Sequence, residues 1–285
     1  MRALRFASVY GFSIEENTSK SIFKNADLLK NIATERVISE FLKLICGKDA
    51  VKILDAYRET IAVIIPEITV MFNFNQNNIH HSYDLWQHTL TALGTIEPNP
   101  ILRMTMLLHD IGKPSVKTTD NSGQSHFQGH QLESKKIADR ILHRLRLPSD
   151  FINKTLLLIE YHDVRFNGSK KLMKKVMNVL GTDLTKQLLE VEYADISAQS
   201  EYQREEKLGY LETAKTHLNE IIKDNECFKL SQLDINGKDV LNLGVKEGRD
   251  VGNILDYLLM LVVDANVPNK KSILISKAKE YIYGN

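Results

Sequence analysis

The sequence predicts an all-α fold, an elongated helical body, and three observations support this. The 14 glycines and 6 prolines are sparse and fall between apolar runs of helical period rather than inside them. No alternation of apolar and polar residues extends beyond a few positions, so half-buried strands are not expected. Helix-start signals precede several of the apolar runs.

The first helices are predicted from a capping signal and an apolar stripe. Ser13-Ile14-Glu15-Glu16 has the spacing of a capping box, and it should start a helix that runs towards Leu29. Residues 35–44 are amphipathic, with an apolar face formed by Val37, Ile38, Phe41 and Leu44.

The middle of the chain adds helices with clear starts. Asn99-Pro100 is an N-cap followed by a first-turn proline, and the helix it starts leads to His109-Asp110. Pro148-Ser149-Asp150 breaks the chain and begins the helix that carries His162. Between them, residues 132–145 form a helix whose expected core stripe is Leu132, Ile137, Ile141 and Leu145.

The remaining helical runs are residues 172–180, 182–200 and 205–222, and no internal repeat is visible. Composition suggests a division into three regions, 1–70, 71–223 and 224–285. The second region contains every candidate metal ligand described next.

An adjacent His109-Asp110 pair at the end of an apolar run is the strongest functional signal. Imidazole nitrogen and carboxylate oxygen are both ligands for divalent metals. The run before the pair, residues 104–108, should be buried, and a buried carboxylate without a cation or strong donors is costly. Single His and Asp residues accompany the pair at wide spacing: His88, His130, His162 and Asp195.

This order of ligands, with Ile111-Gly112 after the pair, resembles the HD superfamily of metal-dependent phosphohydrolases in its HDIG form. The resemblance implies that residues 71–223 form an HD domain with one or two divalent ions. His126 precedes His130 by one helical turn and stays an alternative to it, whereas His143 and His217 are expected to face solvent. The implied ligands are His88, His109, Asp110 and Asp195 for the first ion, and His130 and His162 for a second.

The same resemblance implies a mechanism and a substrate class. Asp110 would bridge the ions and a bound water would attack phosphorus. Lys113 would neutralise developing charge or position a phosphate, and the alternative is a surface lysine before Pro114. The nitrogen and oxygen ligands favour magnesium, manganese, nickel, cobalt or iron(II) over structural zinc. We therefore expect a phosphohydrolase for nucleotides or RNA ends, 2′,3′-cyclic phosphates included. The residues expected by analogy to line the substrate pocket are His81, Gln199 and Gln203.

A second resemblance covers nearly the whole chain. Motifs at residues 2–12, 34–40, 75–88, 233–239 and 244–248 resemble the neck, HD entry and tail of class II tRNA nucleotidyltransferases and bacterial poly(A) polymerases. The Gly-Ser and paired-Asp motifs of the nucleotidyltransferase head are not found in these 285 residues, so nucleotidyl transfer is not expected from this chain alone. The alternative function is a tRNA-binding body without catalysis, served by a separate head polypeptide. A third alternative is that the metal site only braces the helices.

Composition bounds the remaining expectations. The net charge is +1, from 37 Lys and Arg against 36 Asp and Glu, and does not decide for or against nucleic acid. Two distant cysteines, no signal peptide and no membrane-length apolar run predict a cytoplasmic protein. Basic stretches at residues 135–146 and 170–175 are either solvated helix faces or phosphate contacts. No heptad pattern supports a homodimer, but Ala3, Phe6 and their neighbours are expected to pair with a partner or another copy.

Overall fold

The computed structural model describes residues 1–80, 83–246 and 248–284 and confirms the all-α prediction. The only strands in this part of the chain are β1 (Thr118–Thr119) and β2 (Ser125–His126), an antiparallel pair too short to be read from periodicity. The helices are α1 (Arg2–Tyr10), α2 (Glu16–Lys24), α3 (Thr34–Ile45), α4 (Ala50–Ala56), α5 (Arg58–Ala62), α6 (Leu85–Thr95), α7 (Pro100–Leu108), α8 (Lys113–Val116), α9 (His130–Arg144), α10 (Ser149–Tyr161), α11 (Lys170–Ala198), α12 (Arg204–Lys223), α13 (Gly237–Leu241), α14 (Arg249–Val263) and α15 (Lys271–Tyr283), with 3-10 turns at Ala26–Asn31, Pro66–Met71 and Leu230–Gln232.

The chain divides into two compact units, each built from two segments. The first unit comprises Met1–Arg165 and Gln187–Leu208, and the second comprises Phe166–Lys186 and Gly209–Asn285. The helix α11 contributes to both, and its backbone leaves helical geometry at Gly181, where φ is 72° and ψ is 176°. The expected division into residues 1–70, 71–223 and 224–285 stays a prediction.

The helices α1 and α3 of the first unit pack with unusually close backbones. The buried Ser8 hydroxyl donates to the Leu44 carbonyl at 2.6 Å. A Cβ at Gly47 would lie 2.1 Å from Ser8 Oγ and 2.6 Å from the Ser8 carbonyl carbon. Only glycine fits there, because any side chain would collide with α1. The predicted apolar face of α3 is buried against this contact, with Val37, Ile38, Phe41 and Leu44 all in the core.

Two predicted helix details are wrong. The helix α2 is capped by Glu15 rather than Ser13, since the Glu15 carboxylate accepts from the amides of Asn17 and Thr18, and the helix ends at Lys24. In α9 the expected core residue Leu132 is 49% exposed. The buried face of α9 is instead turned towards His130, and comprises His130, Ser134, Ala138, Ile141 and Leu142.

The helix α7, which leads to His109-Asp110, is buried from Leu102 to Leu108. Asn99 caps α7 as predicted, accepting from the amides of Ile101 and Leu102. The backbone turn after α7 touches the first turn of α9, where the Gly112 amide donates to Ser134 Oγ at 2.9 Å. A Cβ at Gly112 would lie 2.5 Å from the Ser134 amide nitrogen, so this approach requires glycine.

The second unit has its own apolar core. The helices α13, α14 and α15 pack together and bury side chains that are each less than a tenth exposed. These residues are Cys227, Ile235, Val240, Ile254, Leu258, Leu259, Val262, Val263, Leu274 and Ala278.

Within the described residues, every helix is too short or too polar to cross a membrane.

Candidate metal centre

The structure gathers the six predicted ligands from five helical segments of the first unit. Four of these residues, His109, Asp110, His130 and His162, lie at or next to the end of a helix. His88 lies within α6, His109 and Asp110 follow α7, His130 begins α9, His162 follows α10, and Asp195 lies in the last turns of α11.

The first group of ligands consists of His88, His109, Asp110 and Asp195, whose ligand atoms all lie within 4.8 Å of one another. His88 Nε2 is 3.4 Å from Asp110 Oδ2 and 2.9 Å from Asp195 Oδ1. His109 Nε2 is 3.2 Å and 3.4 Å from the same two oxygens. Two imidazoles and two carboxylates therefore surround one point.

The second group consists of Asp110, His130 and His162. Asp110 Oδ1, the oxygen that does not face the first group, lies 3.2 Å from His130 Nε2 and 3.6 Å from His162 Nε2. One carboxylate thus faces both groups, each with a different oxygen. His126, the alternative to His130, is instead on β2 and pairs with Asp120 at 2.8 Å.

Each of the four histidines of the centre directs its Nδ1 atom to a backbone carbonyl and its Nε2 atom to the centre. The Nδ1 atoms of His109, His130 and His162 each face the backbone carbonyl three residues earlier, at 2.7–2.9 Å. His88 Nδ1 faces the Ala198 carbonyl at 3.3 Å. Carbonyls only accept, so each Nδ1 carries a proton, and Nε2 is the ring nitrogen left to bind at the centre. This outer support is typical of histidines that bind metal.

The electrostatics of the centre fit a bound cation. Burial alone would lower the pKa of His109, but the charges of Asp110 and Asp195 raise it to about 10. Burial would raise the pKa of Asp110, but His109 and Lys113 hold it well below its usual range. His109 Nε2 makes no well-aligned hydrogen bond within the described chain. The buried carboxylates need positive charge nearby, and either protonated imidazoles or a metal ion can supply it.

Lys113, predicted to position a phosphate, is buried and directed inward. Its ammonium lies 2.6 Å from Asp110 Oδ2 and donates to the Gln76 side-chain oxygen at 3.1 Å. It therefore neutralises the bridging carboxylate in this structure.

The residues predicted to line a substrate pocket differ in their placement. Gln199 hydrogen-bonds the ligand Asp195 at 2.8 Å, so it contacts a ligand rather than open space. Gln203 is exposed. His81 lies outside the described residues.

Sequence reasoning missed the residues that support the ligands. Gln76, 1% exposed, and the Ala198 carbonyl had no recognisable signal, because neither belongs to a ligand motif. Of the two histidines expected in solvent, His143 is exposed but His217 is half-buried, with its Nε2 3.0 Å from the Gly168 carbonyl.

The two basic stretches are largely neutralised within the chain. In α11, Lys170 and Lys174 contact Glu226 at 2.5 and 2.6 Å, while Lys171 and Lys175 both contact Asp264 at 3.1 Å. The stretch at 135–146 is similarly engaged, through the pairs Lys135–Glu160, Lys136–Glu133, Arg144–Glu67 and Arg146–Glu35.

Two family models match this chain. The model described as "Probable RNA and SrmB- binding site of polymerase A" matches residues 11–72. The model described as "tRNA nucleotidyltransferase domain 2 putative" matches residues 130–278, slightly more than half of the chain.

Curated relatives and a solved structure agree with these matches. The chain is 28% identical to the CC-adding tRNA nucleotidyltransferase of Thermus thermophilus, covering 95% of this chain and 63% of the relative. It is 29% identical to the A-adding tRNA nucleotidyltransferase of Deinococcus radiodurans, covering 58% of this chain and 41% of that protein. The Bacillus stearothermophilus CCA-adding enzyme in complex with CTP has the same fold, with a TM-score of 0.63 at 19% identity, over 100% of this chain and 62% of that one. The chain spans less than two thirds of each relative.

These comparisons overturn the predicted activity. The expected function, a metal-dependent phosphohydrolase acting on nucleotides or RNA ends, is wrong, because the curated relatives are tRNA nucleotidyltransferases. The predicted enzyme class is wrong for the same reason. The resemblance to class II tRNA nucleotidyltransferases is confirmed by the family model over residues 130–278.

Proposed function

Because the chain belongs to the tRNA nucleotidyltransferase family, we propose that it is the tRNA-binding helical body of such an enzyme and performs no catalysis of its own. The observation that carries this proposal is the match of residues 11–72 to an RNA-binding region of polymerase A. The named relatives act on tRNA, and tRNA is the RNA we propose for this chain. Nucleotidyl transfer would come from a nucleotidyltransferase head, whose motifs are not found in these 285 residues.

The charges of the matched segment support RNA binding. Four basic residues between 11 and 72 are exposed and form no ion pair within the described chain: Lys24, Arg36, Lys48 and Lys52. Lys48 lies just before α4, and Lys52 lies in its first turn. Cations that are not neutralised internally can release counterions from an RNA backbone, whereas the paired lysines of α11 would first have to give up their carboxylates.

The proposal is tested by binding of a tRNA transcript, measured by fluorescence anisotropy at about 50 and about 200 mM salt. We expect Lys48→Glu and Lys52→Glu each to weaken binding and to lower the salt slope by about one unit. The matched control is Lys279→Glu, an exposed lysine of α15 outside both family matches. Equal effects of all three variants, or no tRNA binding by the unaltered chain, would reject the proposal.

The same body is proposed to hold one or two divalent ions at the centre described above. Magnesium, manganese, nickel, cobalt and iron(II) suit its nitrogen and oxygen ligands. The first ion would be held by His88, His109, Asp110 and Asp195, and the second by Asp110, His130 and His162. The role we propose is to brace the helices α6, α7, α9, α10 and α11, whose ends would otherwise bury carboxylates and imidazoles together.

Measurements of metal content and of thermal unfolding test whether bound ions brace these helices. We expect a metal-dependent rise in Tm, since an ion at 100 times its Kd contributes about 2.7 kcal/mol. Asp195→Asn, which keeps the shape of the side chain, should lower metal content and abolish part of this rise. Asp183→Asn, an exposed position on the same helix, should change neither.

A further inference from the structure

The turn that follows α11 organises the first group of ligands. His88 Nδ1 faces the carbonyl of Ala198. The next residue, Gln199, extends its side chain back by one helical turn, and its Nε2 donates to Asp195 Oδ2 at 2.8 Å. Two of the four ligands in the first group are therefore oriented by two consecutive residues of one turn.

The Gln199 amide has a fixed orientation. Its oxygen accepts from the Lys207 ammonium at 2.6 Å. Lys207 can only donate and the Asp195 carboxylate can only accept, so the amide must direct its oxygen to the lysine and its nitrogen to the carboxylate. A rotated amide would place two donors together and two acceptors together.

The turn itself is held from both sides. The Arg204 guanidinium donates to the carbonyl of Gln199 at 2.9 Å, and the Ser200 amide donates to the His80 carbonyl at 2.8 Å. Lys207 is half-buried, and its ammonium also lies 3.3 Å from His80 Nδ1. These hydrogen bonds therefore fix the backbone from which the Gln199 side chain extends.

The consequence for Asp195 is that its two oxygens have different roles. Oδ2 is occupied by Gln199, whereas Oδ1 faces His88 Nε2 at 2.9 Å and His109 Nε2 at 3.4 Å. We propose that Gln199, itself held by Lys207, is a positioning residue that keeps Asp195 a one-oxygen ligand of the first ion. This rests on the proposed metal centre.

The inference predicts an asymmetric effect on the two groups of ligands. Asp110, His130 and His162 have no hydrogen bond to this turn among the described contacts. Loss of the Gln199 amide should therefore weaken binding of the first ion by about 10–100-fold, the usual effect of removing an outer-shell partner, and leave the second unchanged.

The experiment is a titration of the chelator-treated full chain with Co²⁺, followed by calorimetry and by the visible absorption of the bound ion. Gln199→Met keeps the length of the side chain and removes both hydrogen bonds. The matched control is Gln203→Met, at an exposed position four residues later. We expect weaker binding of one ion and an altered cobalt spectrum for Gln199→Met alone, and a smaller change in the same direction for Lys207→Met.

The outcomes separate this inference from the metal centre. If the unaltered chain binds no Co²⁺, both fail. If it binds Co²⁺ and Gln199→Met binds with the same affinity and spectrum, only the positioning role fails. A third outcome is that Gln199→Met lowers the free energy of unfolding without metal by as much as it weakens the free energy of Co²⁺ binding, with the spectrum of the bound ion unchanged. Gln199 would then act on folding, and the inference would also be overturned.

Discussion

The contact between the turn after His109-Asp110 and the first turn of α9 depends on Gly112. Its Cα lies so close to the backbone of α9 that a Cβ would be 2.5 Å from the Ser134 nitrogen and 2.8 Å from the His130 carbonyl oxygen. Gly112→Ala should destabilise the fold by about 1–3 kcal/mol, as overpacking does, and should displace His130. Thermal unfolding and metal stoichiometry would show loss of stability and of the second ion.

The control for Gly112→Ala is Ser134→Ala, which removes the hydrogen bond to the Gly112 amide but adds no atom. It should cost about 1 kcal/mol and retain both ions. A Gly112→Ala protein with unaltered stability and metal content would show that α9 can shift freely.

The metal-free protein should lose stability as the pH rises, through His109. Its pKa is about 10 in the folded chain and about 6.5 in an unfolded one, so the contribution is complete below about pH 6.5 and is lost as the pH rises through about 10. Burial and the neighbouring Asp195 and Asp163 also raise the pKa of Glu192 well above its usual value, which acts in the same direction. With chelator, Tm should therefore be lower near pH 9 than near pH 6.

Bound metal should reduce this pH dependence, because the ion replaces protons on its ligands. His109→Gln should also flatten it in chelator, since the titrating imidazole is gone. A chelator-treated protein whose Tm rises from pH 6 to pH 9 would contradict the assignment.

At the residue scale, the sequence predicted which side chains the candidate site brings together, but it did not predict their orientation. Adjacent His109-Asp110 and the isolated His88, His162 and Asp195 are visible as residue types, and the structure brings them together. The carbonyls that fix each imidazole belong to ordinary helical residues. Gln199 was recognised as part of the site, but hydrogen bonding to Asp195 depends on a turn that the sequence does not specify.

At the scale of helices, the contact between α1 and α3 gives a matched pair of substitutions. Gly47→Ala should destabilise the protein by about 1–3 kcal/mol, because the new Cβ would meet Ser8 at 2.1 Å. Gly209→Ala, in an exposed part of α12 with no atom near the new Cβ, should stabilise it by about 0.5–1 kcal/mol. Urea unfolding of both variants measures the two effects, and two changes of the same sign would refute the close contact.

Helix prediction succeeded where a local signal agreed with burial. The Asn99 cap and the apolar face of α3 need only neighbouring residues, and both are confirmed. The start of α2 was misplaced because Ser13 and Glu15 can both cap a helix here, and in the structure Glu15 supplies the cap. Leu132 was assigned to the core of α9 because periodicity ignores buried polar residues, and there the buried face follows His130 and Ser134.

For the whole molecule, the outer face of α1 should drive association. Tyr10 and Phe12 are 56% and 62% exposed, and their rings lie 5.5 Å apart, next to Phe6. Together with the exposed Ala3 they form an apolar surface of the kind that binds a partner or a second copy. A nucleotidyltransferase head is one such partner.

Light scattering over a range of concentrations measures self-association. We expect the average mass to rise with concentration, and the double variant Tyr10→Ser with Phe12→Ser to suppress the rise. Leu132→Ser, at another exposed apolar position, is the control. A constant monomeric mass in the unaltered chain would count against pairing between copies.

The interleaving of the two units sets an order of events during synthesis on the ribosome. Asp195 lies in Gln187–Leu208, which returns to the first unit only after the first segment of the second has been made. Asp110, His130 and His162 are all translated before it. At 5–20 residues per second, Asp195 follows His162 by about 2–7 s. The nascent chain therefore holds all three proposed ligands of the second ion while the first group still lacks one, so the order of translation would favour loading the proposed second ion first.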